Sequence, residues 1–162
     1  MKQLTLVRHG KSSWEYSVND MDRPLQQRGI NDAHLVAEYC HTKGYTPNHM
    51  FSSPANRALH TAIIFKRKLE IADTYFSVVS NLYDFSGGSV LDHIKGLDNS
   101  LEKVMIFGHN HAFTYLANSL GNRYIDNVPT AGLVQIEFDM DDWADIEVGT
   151  TVFTLFPKEI RK

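Results

Sequence analysis

The stretch QLTLVRHG, residues 3–10, sets the fold of this chain. Its first five side chains alternate between polar and apolar and are rich in β-forming types, which predicts a first strand over residues 3–7. That strand would stop at Arg8-His9-Gly10 and enter a loop. A second run, residues 104–107, is almost purely apolar, as expected of a strand buried on both faces, and it too ends in a loop, Gly108-His109-Asn110.

Helical segments separate the predicted strands. Helices are predicted over residues 25–43, over 88–97, over 111–120, and from Ser53, which would act as N-cap with Pro54 at the first helical position. Shorter strands are predicted at 48–52 and 76–79. The segments 132–138 and 151–156, joined by an acidic turn at 139–142, suit an antiparallel hairpin near a sheet edge.

Strands that alternate with helices indicate an α/β sandwich with a mainly parallel central sheet and an antiparallel edge. The length of 162 residues is that of one compact domain, so residues 1–162 are expected to form a single unit. In such sheets ligands bind at the carboxyl ends of the strands. His9 and His109 both fall at predicted strand ends, which is the first reason to select them.

The composition excludes several classes of protein. Hydrophobic residues make up 43% and charged residues 22% of the chain, with a net charge of −3 and no basic stripe, which argues against nucleic-acid binding. No apolar run is long enough for a signal peptide or a membrane span, and a single cysteine, Cys40, allows no internal disulfide. We therefore expect a cytoplasmic protein without a membrane partner, in which Cys40 is a buried, unreactive thiol.

The chemistry of the first loop suits phosphoryl transfer. A neutral imidazole is a competent nucleophile toward phosphorus, and a neighbouring cation such as Arg8 disfavours its protonation. One ring nitrogen of His9 would be fixed by donating to a backbone carbonyl, leaving the other to attack. Gly10 would let the backbone approach a ligand closely.

Two further positions supply groups that bind phosphate. Arg57 lies one turn into the helix that follows Ser53, where its planar guanidinium and the helix dipole both favour an anion. His109, if protonated, would donate to a phosphoryl oxygen in the transition state. The alternatives are a surface arginine and a hydrogen-bonded loop histidine. Metal binding through His109 and His111 is a third alternative, which Arg8 and Arg57 would oppose by repelling a cation.

Taken together, these motifs resemble the histidine phosphatase superfamily, in its SixA-type phosphohistidine phosphatase branch. The resemblance covers nearly the whole chain. It rests on residues 6–11, on Arg23-Pro24-Leu25 with Arg28-Gly29, on Ser52-Ser53-Pro54 with Arg57-Ala58 and Thr61-Ala62, on Gly108-His109-Asn110, on residues 129–132 and on Trp143.

The resemblance implies a three-layer α/β/α sandwich of the phosphoglycerate mutase type. It also implies a phosphoryl-enzyme mechanism that needs no metal or other cofactor. His9 would attack phosphorus, while Arg8, Arg57 and His109 hold the equatorial oxygens, and water would then release phosphate. Ser12, Lys11 and Arg23 would add substrate contacts. The implied partner is a phosphorylated protein carrying phosphohistidine, or else a small phosphate ester.

The chain departs from the superfamily pattern at one position. Related mutases and many broad phosphatases carry a glutamate general acid where this sequence has Asn81, and Asp84 is the nearest carboxyl. Asp84 is therefore a candidate general acid, with capping of the helix near residues 86–89 as the alternative. An alkoxide leaving group needs protonation, whereas imidazole, whose conjugate acid has a pKa of about 6.5, leaves more easily. The departure thus favours a phosphohistidine substrate.

Three other functions stay open from the sequence. The first is a general small-molecule phosphatase or a mutase of the same superfamily. The second is a phosphate-binding regulatory module without turnover, which phosphoryl trapping on His9 would exclude. The third is a metalloenzyme using the histidines, which full activity in the presence of a chelator would exclude.

Overall fold

The computed structural model describes all residues, 1–162, and contains six strands and four α-helices in alternating order. The strands are β1 (Lys2–Arg8), β2 (His49–Ser52), β3 (Phe76–Val78), β4 (Lys103–Gly108), β5 (Leu133–Phe138) and β6 (Thr150–Leu155). The helices are α1 (Gln27–Thr42), α2 (Asn56–Lys68), α3 (Gly88–Lys95) and α4 (Ala112–Leu120). Every predicted element is present, with ends that differ by a few residues.

The strands form one sheet in the order β3-β2-β4-β1-β5-β6. Neighbours among β3, β2, β4 and β1 are parallel, whereas β5 runs antiparallel to β1, and β6 antiparallel to β5. The mainly parallel sheet and the antiparallel edge hairpin are therefore confirmed. The link between β5 and β6 is longer than the predicted acidic turn, since it also holds a 3-10 turn, Trp143–Asp145.

Helices cover both faces of the sheet, which confirms the three-layer sandwich. One core packs α3 and α4 against one face, through residues such as Ile94 and Phe113. The other packs α1 and α2 against the opposite face, through residues such as Val36 and Phe65. Because β1 and β4 are central and buried on both sides, the loops that follow them are held side by side.

The predicted start of α2 is wrong. The N-cap residue is Ala55, and the helix begins at Asn56, so Ser53 is not the N-cap and Pro54 is not its first residue. The Ser53 hydroxyl lies 2.8 Å from Nε2 of His109 and accepts from the backbone N–H of Ala55 at 3.2 Å. The Ser53 hydroxyl, which the local sequence predicted to cap α2, thus contacts a residue that is distant in the chain.

The glycine after His9 serves packing within the protein. A Cβ on Gly10 would lie 2.7 Å from the carbonyl oxygen of Gly29, and one on Gly29 would lie 2.3 Å from that of Lys11. Real side chains do not tolerate such distances, so the two glycines allow the first turn of α1 to touch the loop after β1. This backbone contact is a second reason for a glycine at position 10.

None of the helices combines the length and the apolar character needed to cross a membrane. Cys40 is buried in α1, and burial raises the pKa of its thiol to about 12. At that pKa the thiol stays protonated and unreactive at neutral pH, as expected from its apolar surroundings.

Candidate active site

His9 lies in the loop at the carboxyl end of β1, fixed by its backbone and by its ring. Its N–H donates to the Gly108 carbonyl at 3.1 Å, and its own carbonyl accepts from the Ala131 N–H at 2.9 Å. The ring Nδ1 donates to the Gly10 carbonyl at 2.7 Å. This bond sets the tautomer, so the neutral ring presents Nε2 with a free lone pair.

Burial keeps the His9 imidazole uncharged. His9 is only 7% exposed. Its removal from water disfavours the charged ring and lowers the pKa of His9 to about 3. Repulsion from His109, Arg57 and Arg8 lowers the pKa further, while the bond to Gly10 opposes the shift. The sequence suggested neighbouring cations as the cause of neutrality, but desolvation contributes more.

Two arginines flank this imidazole. Arg57 is buried in the first turn of α2, where its Nη1 donates to the Asp20 carbonyl at 2.6 Å and its Nη2 to Oδ2 of Asp20 at 2.9 Å. Arg8, at the end of β1, donates from Nη1 to the Val128 carbonyl at 2.9 Å, and its buried Nε has no partner. Both guanidinium groups retain donors for an anion.

His109 lies beside His9, at the carboxyl end of the neighbouring strand β4. The two ring centroids are 5.3 Å apart, and His109 is 1% exposed. Burial, with Arg57 as the next cause, lowers the pKa of His109 to about 3, so this ring is also neutral. When the Ser53 hydroxyl donates to Nε2, the ring proton lies on Nδ1, which is buried and has no partner in the protein.

A cleft of about 420 Å³ opens over this group of side chains. Six of the eight residues selected from the sequence line it, and they are Arg8, His9, Lys11, Ser12, Arg23 and Arg57. His109 lies deeper, against His9 and against the cleft residue Phe85, whose ring centroid is 5.0 Å away. Asp84 does not line the cleft.

The three selected substrate contacts differ in their surroundings. Lys11 is exposed and has no ion pair, so it is available to an anion. Arg23 is buried, and its guanidinium donates to Ser12 Oγ, to the Ser13 carbonyl at 3.1 Å and to Oδ1 of Asp20 at 3.2 Å. Much of Arg23 is therefore used to hold the loop, and the Ser12 hydroxyl is part of that network.

The carboxylate of Asp84 caps α3, which favours the capping alternative over the role of general acid. Oδ1 accepts from the N–H and the hydroxyl of Ser86, and Oδ2 accepts from the N–H groups of Gly87 and Val90 at 3.0 and 3.1 Å. Burial raises the pKa of Asp84, but these hydrogen bonds to its charged form outweigh burial and lower the pKa overall. A carboxylate so held is poorly suited to donate a proton, and the capping alternative explains every contact it makes.

Replacing Asp84 with asparagine is expected to cost stability and to leave turnover per folded molecule unchanged. The amide retains one acceptor oxygen and loses the charge at the helix N-terminus, a cost of about 1 kcal/mol. Urea unfolding and phosphatase kinetics on the same preparation test both parts. A large fall in kcat at unchanged stability would restore Asp84 as the general acid.

The two neutral histidines make stability depend on pH. Their folded pKa values are about 3, whereas unfolded imidazole titrates near 6.5. The unfolded chain therefore binds more protons below about pH 6.5, and each ring lowers the free energy of unfolding by up to about 1.4 kcal/mol per pH unit. We expect stability from these groups to be complete above pH 6.5 and to fall toward pH 3.

Urea midpoints measured at about pH 8, 6.5 and 5 test this dependence. His9→Asn should show a shallower fall than the wild type between the two lower values, because one of the two depressed imidazoles is gone. Equal slopes in both proteins would mean that folding does not lower the pKa of His9.

Residues that sequence analysis missed complete the cleft. Asp20, from a 3-10 turn at Asp20–Asp22, bonds to Arg57, and its Oδ2 accepts from the Tyr83 hydroxyl at 2.6 Å. Trp14 stacks on Arg23, with the guanidinium carbon 3.3 Å from the ring centroid. The only sign of Asp20 in the sequence was its position just before Arg23-Pro24-Leu25. A single sequence does not show that its side chain bonds to Arg57.

The structure does not bring His109 and His111 together as a pair of ligands. His109 is bonded to Ser53, whereas His111 is exposed at the N-cap of α4. No group of three or more histidine, cysteine or acidic side chains has the arrangement to hold a metal ion.

Known proteins share this fold over almost its full length. The structure of the protein histidine phosphatase SixA complexed with tungstate superposes with a TM-score of 0.83 at 21% identity, covering 98% of this chain and 99% of that one. The mycobacterial glucosyl-3-phosphoglycerate phosphatase Rv2419c in complex with VO3 gives a TM-score of 0.67 at 14% identity, covering 93% and 97%. At these identities the likeness establishes the fold.

Sequence relationships extend the comparison. The uncharacterized protein Rv1276c of Mycobacterium tuberculosis is 26% identical over 164 aligned positions, covering 93% of this chain and 98% of its own length. The family model described as histidine phosphatase superfamily, branch 1, matches residues 4–90, which is more than half of the chain and includes most of β1, His9 and Arg57. The motif resemblance is thereby confirmed, and the chain belongs to branch 1 of the histidine phosphatase superfamily.

Proposed function

We propose that the chain is a metal-independent phosphatase that transfers a phosphoryl group to Nε2 of His9 and then to water, with phosphohistidine on a protein as substrate. The observation that carries the proposal is the neutral His9 ring, with Nδ1 bonded to Gly10 and Nε2 unbonded, in a cleft walled by Arg8 and Arg57. Residues 1–162 are proposed to act as one domain, since every strand joins one sheet.

The roles of the neighbouring groups follow from charge. In the transition state negative charge spreads over the three equatorial phosphoryl oxygens, which preorganised donors stabilise. Arg8 and Arg57 supply fixed positive charge, and His109 supplies a neutral donor. The unpartnered, buried Nε of Arg8 and Nδ1 of His109 support this assignment, because such groups are costly unless an acceptor satisfies them in the working state.

Whether a carboxyl group in the cleft can protonate the leaving group decides which substrates suit the site. Asp20 is the only carboxylic side chain that lines it, and its bonds to Tyr83 and Arg57, against an opposing effect of burial, lower its pKa to about 2. Asn81 is exposed and does not line the cleft. No lining carboxyl is therefore protonated at neutral pH to assist an alkoxide, whereas imidazole can leave without a general acid.

The rim of the cleft favours a substrate carried on a protein. Trp14 is 78% exposed and Phe85 is 46% exposed, and both line the cleft beside the arginines. Exposed aromatic side chains around a charged pocket are typical of surfaces that bind proteins. The name of the SixA neighbour, a protein histidine phosphatase, agrees with this chemistry.

The test compares three substrates with the wild-type enzyme in the presence of a chelator: a phosphohistidine-bearing carrier protein, p-nitrophenyl phosphate and glycerol phosphate. We expect activity in the order given, with glycerol phosphate turned over least. Equal or faster hydrolysis of glycerol phosphate would instead indicate a broad phosphomonoesterase. Loss of activity in chelator would refute the metal-independent mechanism.

A further inference from the structure

The carboxylate of Asp20 is the one anionic group in a cleft lined by four cationic side chains, Arg8, Lys11, Arg23 and Arg57. It is held from three directions. Oδ2 accepts from Nη2 of Arg57 at 2.9 Å and from the Tyr83 hydroxyl at 2.6 Å, and Oδ1 accepts from Nη1 of Arg23 at 3.2 Å. A carboxylate has about four acceptor sites, so one site on Oδ1 has no partner in the protein.

Asp20 occupies the outer part of the cleft. Its side chain is 42% exposed, whereas that of Arg57 is 3% exposed and His9 as a residue is 7% exposed. In an in-line displacement the leaving group departs on the side opposite the nucleophile. Because His9 attacks from the buried end, the leaving group must depart toward the exposed end, where Asp20 lies.

A phosphoryl group would be repelled by this carboxylate, whereas a cationic leaving group would be attracted. The bonds to Arg57, Arg23 and Tyr83 fix the charge in place and keep it ionised, since Asp20 has a pKa of about 2. Trp14 stacks on Arg23, and Phe85 packs edge-on against Tyr83 with ring centroids 5.2 Å apart, so both aromatic rings contact residues that hold Asp20. Both rings also line the cleft, where they offer aromatic surfaces to a flat ring. The outer cleft thus combines an anion and aromatic rings, which suit an imidazolium.

We propose that Asp20 is a catalytic residue that accepts a hydrogen bond from the distal ring N–H of the substrate phosphohistidine and so selects this substrate over phosphate esters. The inference rests on the function proposed above and adds to it the group that recognises the leaving imidazole.

The step balances without a proton donor. The substrate ring binds with its distal nitrogen protonated, and that N–H is held by Oδ1 of Asp20. The lone pair on Nε2 of His9 forms the new bond to phosphorus, the bond from phosphorus to the substrate nitrogen breaks, and its electron pair returns to that nitrogen. The substrate ring leaves as neutral imidazole with its proton still on the distal nitrogen. An ester has no such N–H and gains nothing from Asp20.

Asp20→Asn tests the role, with Asp22→Asn, an exposed acid in the same 3-10 turn, as matched control. The probes are phosphoimidazole and p-nitrophenyl phosphate. Losing a hydrogen bond to a charged group should lower kcat/KM for phosphoimidazole by about 10- to 100-fold. The value for the aryl ester should stay level or rise, because a repulsive charge is removed, and Asp22→Asn should change neither.

Tyr83→Phe provides a second variant, because it removes one bond that holds Asp20 and keeps the charge. It should show a smaller loss that is also confined to phosphoimidazole. Inhibition by inorganic phosphate, measured in every variant, reports whether Arg8 and Arg57 still bind an anion, and it should not weaken.

Each contrary outcome is distinct. If Asp20→Asn loses kcat/KM equally for both probes and phosphate inhibits it less, Asp20 only positions Arg57. If kcat/KM rises for both probes, Asp20 competes with the phosphoryl group. Either result overturns the proposal. No change on either probe overturns it as well. If the wild type prefers phosphoimidazole and Asp20→Asn keeps that preference, this inference alone fails. If the wild type shows no preference for phosphoimidazole over esters, the proposed phosphohistidine function fails.

Discussion

His9→Ala is expected to lower phosphatase turnover by about 10⁴-fold or more, as loss of a covalent nucleophile does in other enzymes. No neighbouring group can replace Nε2, because His109 is tied to Ser53 and lies deeper in the protein. The backbone bonds that fix position 9, to Gly108 and Ala131, do not involve the imidazole, so the variant should still fold.

Rapid quench with radiolabelled p-nitrophenyl phosphate measures the intermediate directly. The wild type should carry label in a bond that is stable to alkali and labile to acid, as expected of phosphorus bonded to nitrogen, and His9→Ala should carry none. His41→Ala, at an exposed histidine of α1, is the matched control and should behave as the wild type. Undiminished labelling of His9→Ala would place the nucleophile elsewhere.

Arg57→Lys is expected to lower kcat/KM by about 10²- to 10³-fold, the usual cost of removing one preorganised donor to a developing oxyanion. The Arg57 guanidinium is fixed by two bonds to Asp20, at 2.6 and 2.9 Å, and it lines the cleft with further N–H groups that these bonds do not use. Lysine keeps the charge, but as a flexible point charge it loses the planar, bidentate geometry.

The loss should affect phosphoimidazole and p-nitrophenyl phosphate alike, since the proposed role of Arg57 is to bind the phosphoryl group that both substrates share. It should appear mainly in kcat, because charge on the equatorial oxygens is greatest in the transition state. Arg67→Lys, an exposed arginine near the end of the same helix, controls for nonspecific effects. A loss below about tenfold would show that Arg57 serves mainly to hold Asp20.

These two variants and Asp20→Asn separate the two ends of one reaction. His9 and Arg57 are proposed to act on the phosphoryl group whatever the leaving group, whereas Asp20 is proposed to bind the leaving ring. A site with a neutral nucleophile, fixed cations and no protonated carboxyl suits a leaving group that takes no proton from the protein. That combination supports phosphohistidine more strongly than the nucleophile alone.

Much of the fold was predictable because its signals are local. The apolar run that became β4 needs burial on both faces, and only the centre of a sheet provides it. The alternating, β-rich segment before Arg8 likewise predicted β1. The alternation of strands with helices then leaves few topologies. One error arose where a tertiary contact used a group that the local sequence assigned to another role: the Ser53 hydroxyl bonds to His109 and does not cap α2. The local sequence also did not show that Gly10 leaves room for the carbonyl group of Gly29.

The candidate site shows the same division. Arg8, His9, Arg57 and His109 were selected from the sequence because each stands at a junction of strand and helix, where backbone and dipole favour an anion. Asp84 was left with two roles because, in a sequence, a carboxylate next to an expected acid position looks the same whether it donates a proton or caps a helix. The structure shows its capping contacts to α3. Asp20 was missed because its partner Arg57 is 37 positions away.

The sequence by itself determined the order of the elements, the layers they form and the four side chains at the strand ends, because hydrophobic periodicity and strand termination are properties of neighbouring residues. Only the tertiary structure decided the charge state of His9, the tautomer that presents Nε2, the capping role of Asp84 and the position of Asp20 at the outer end of the cleft. Each of these depends on desolvation or on a hydrogen bond to an atom whose position folding determines.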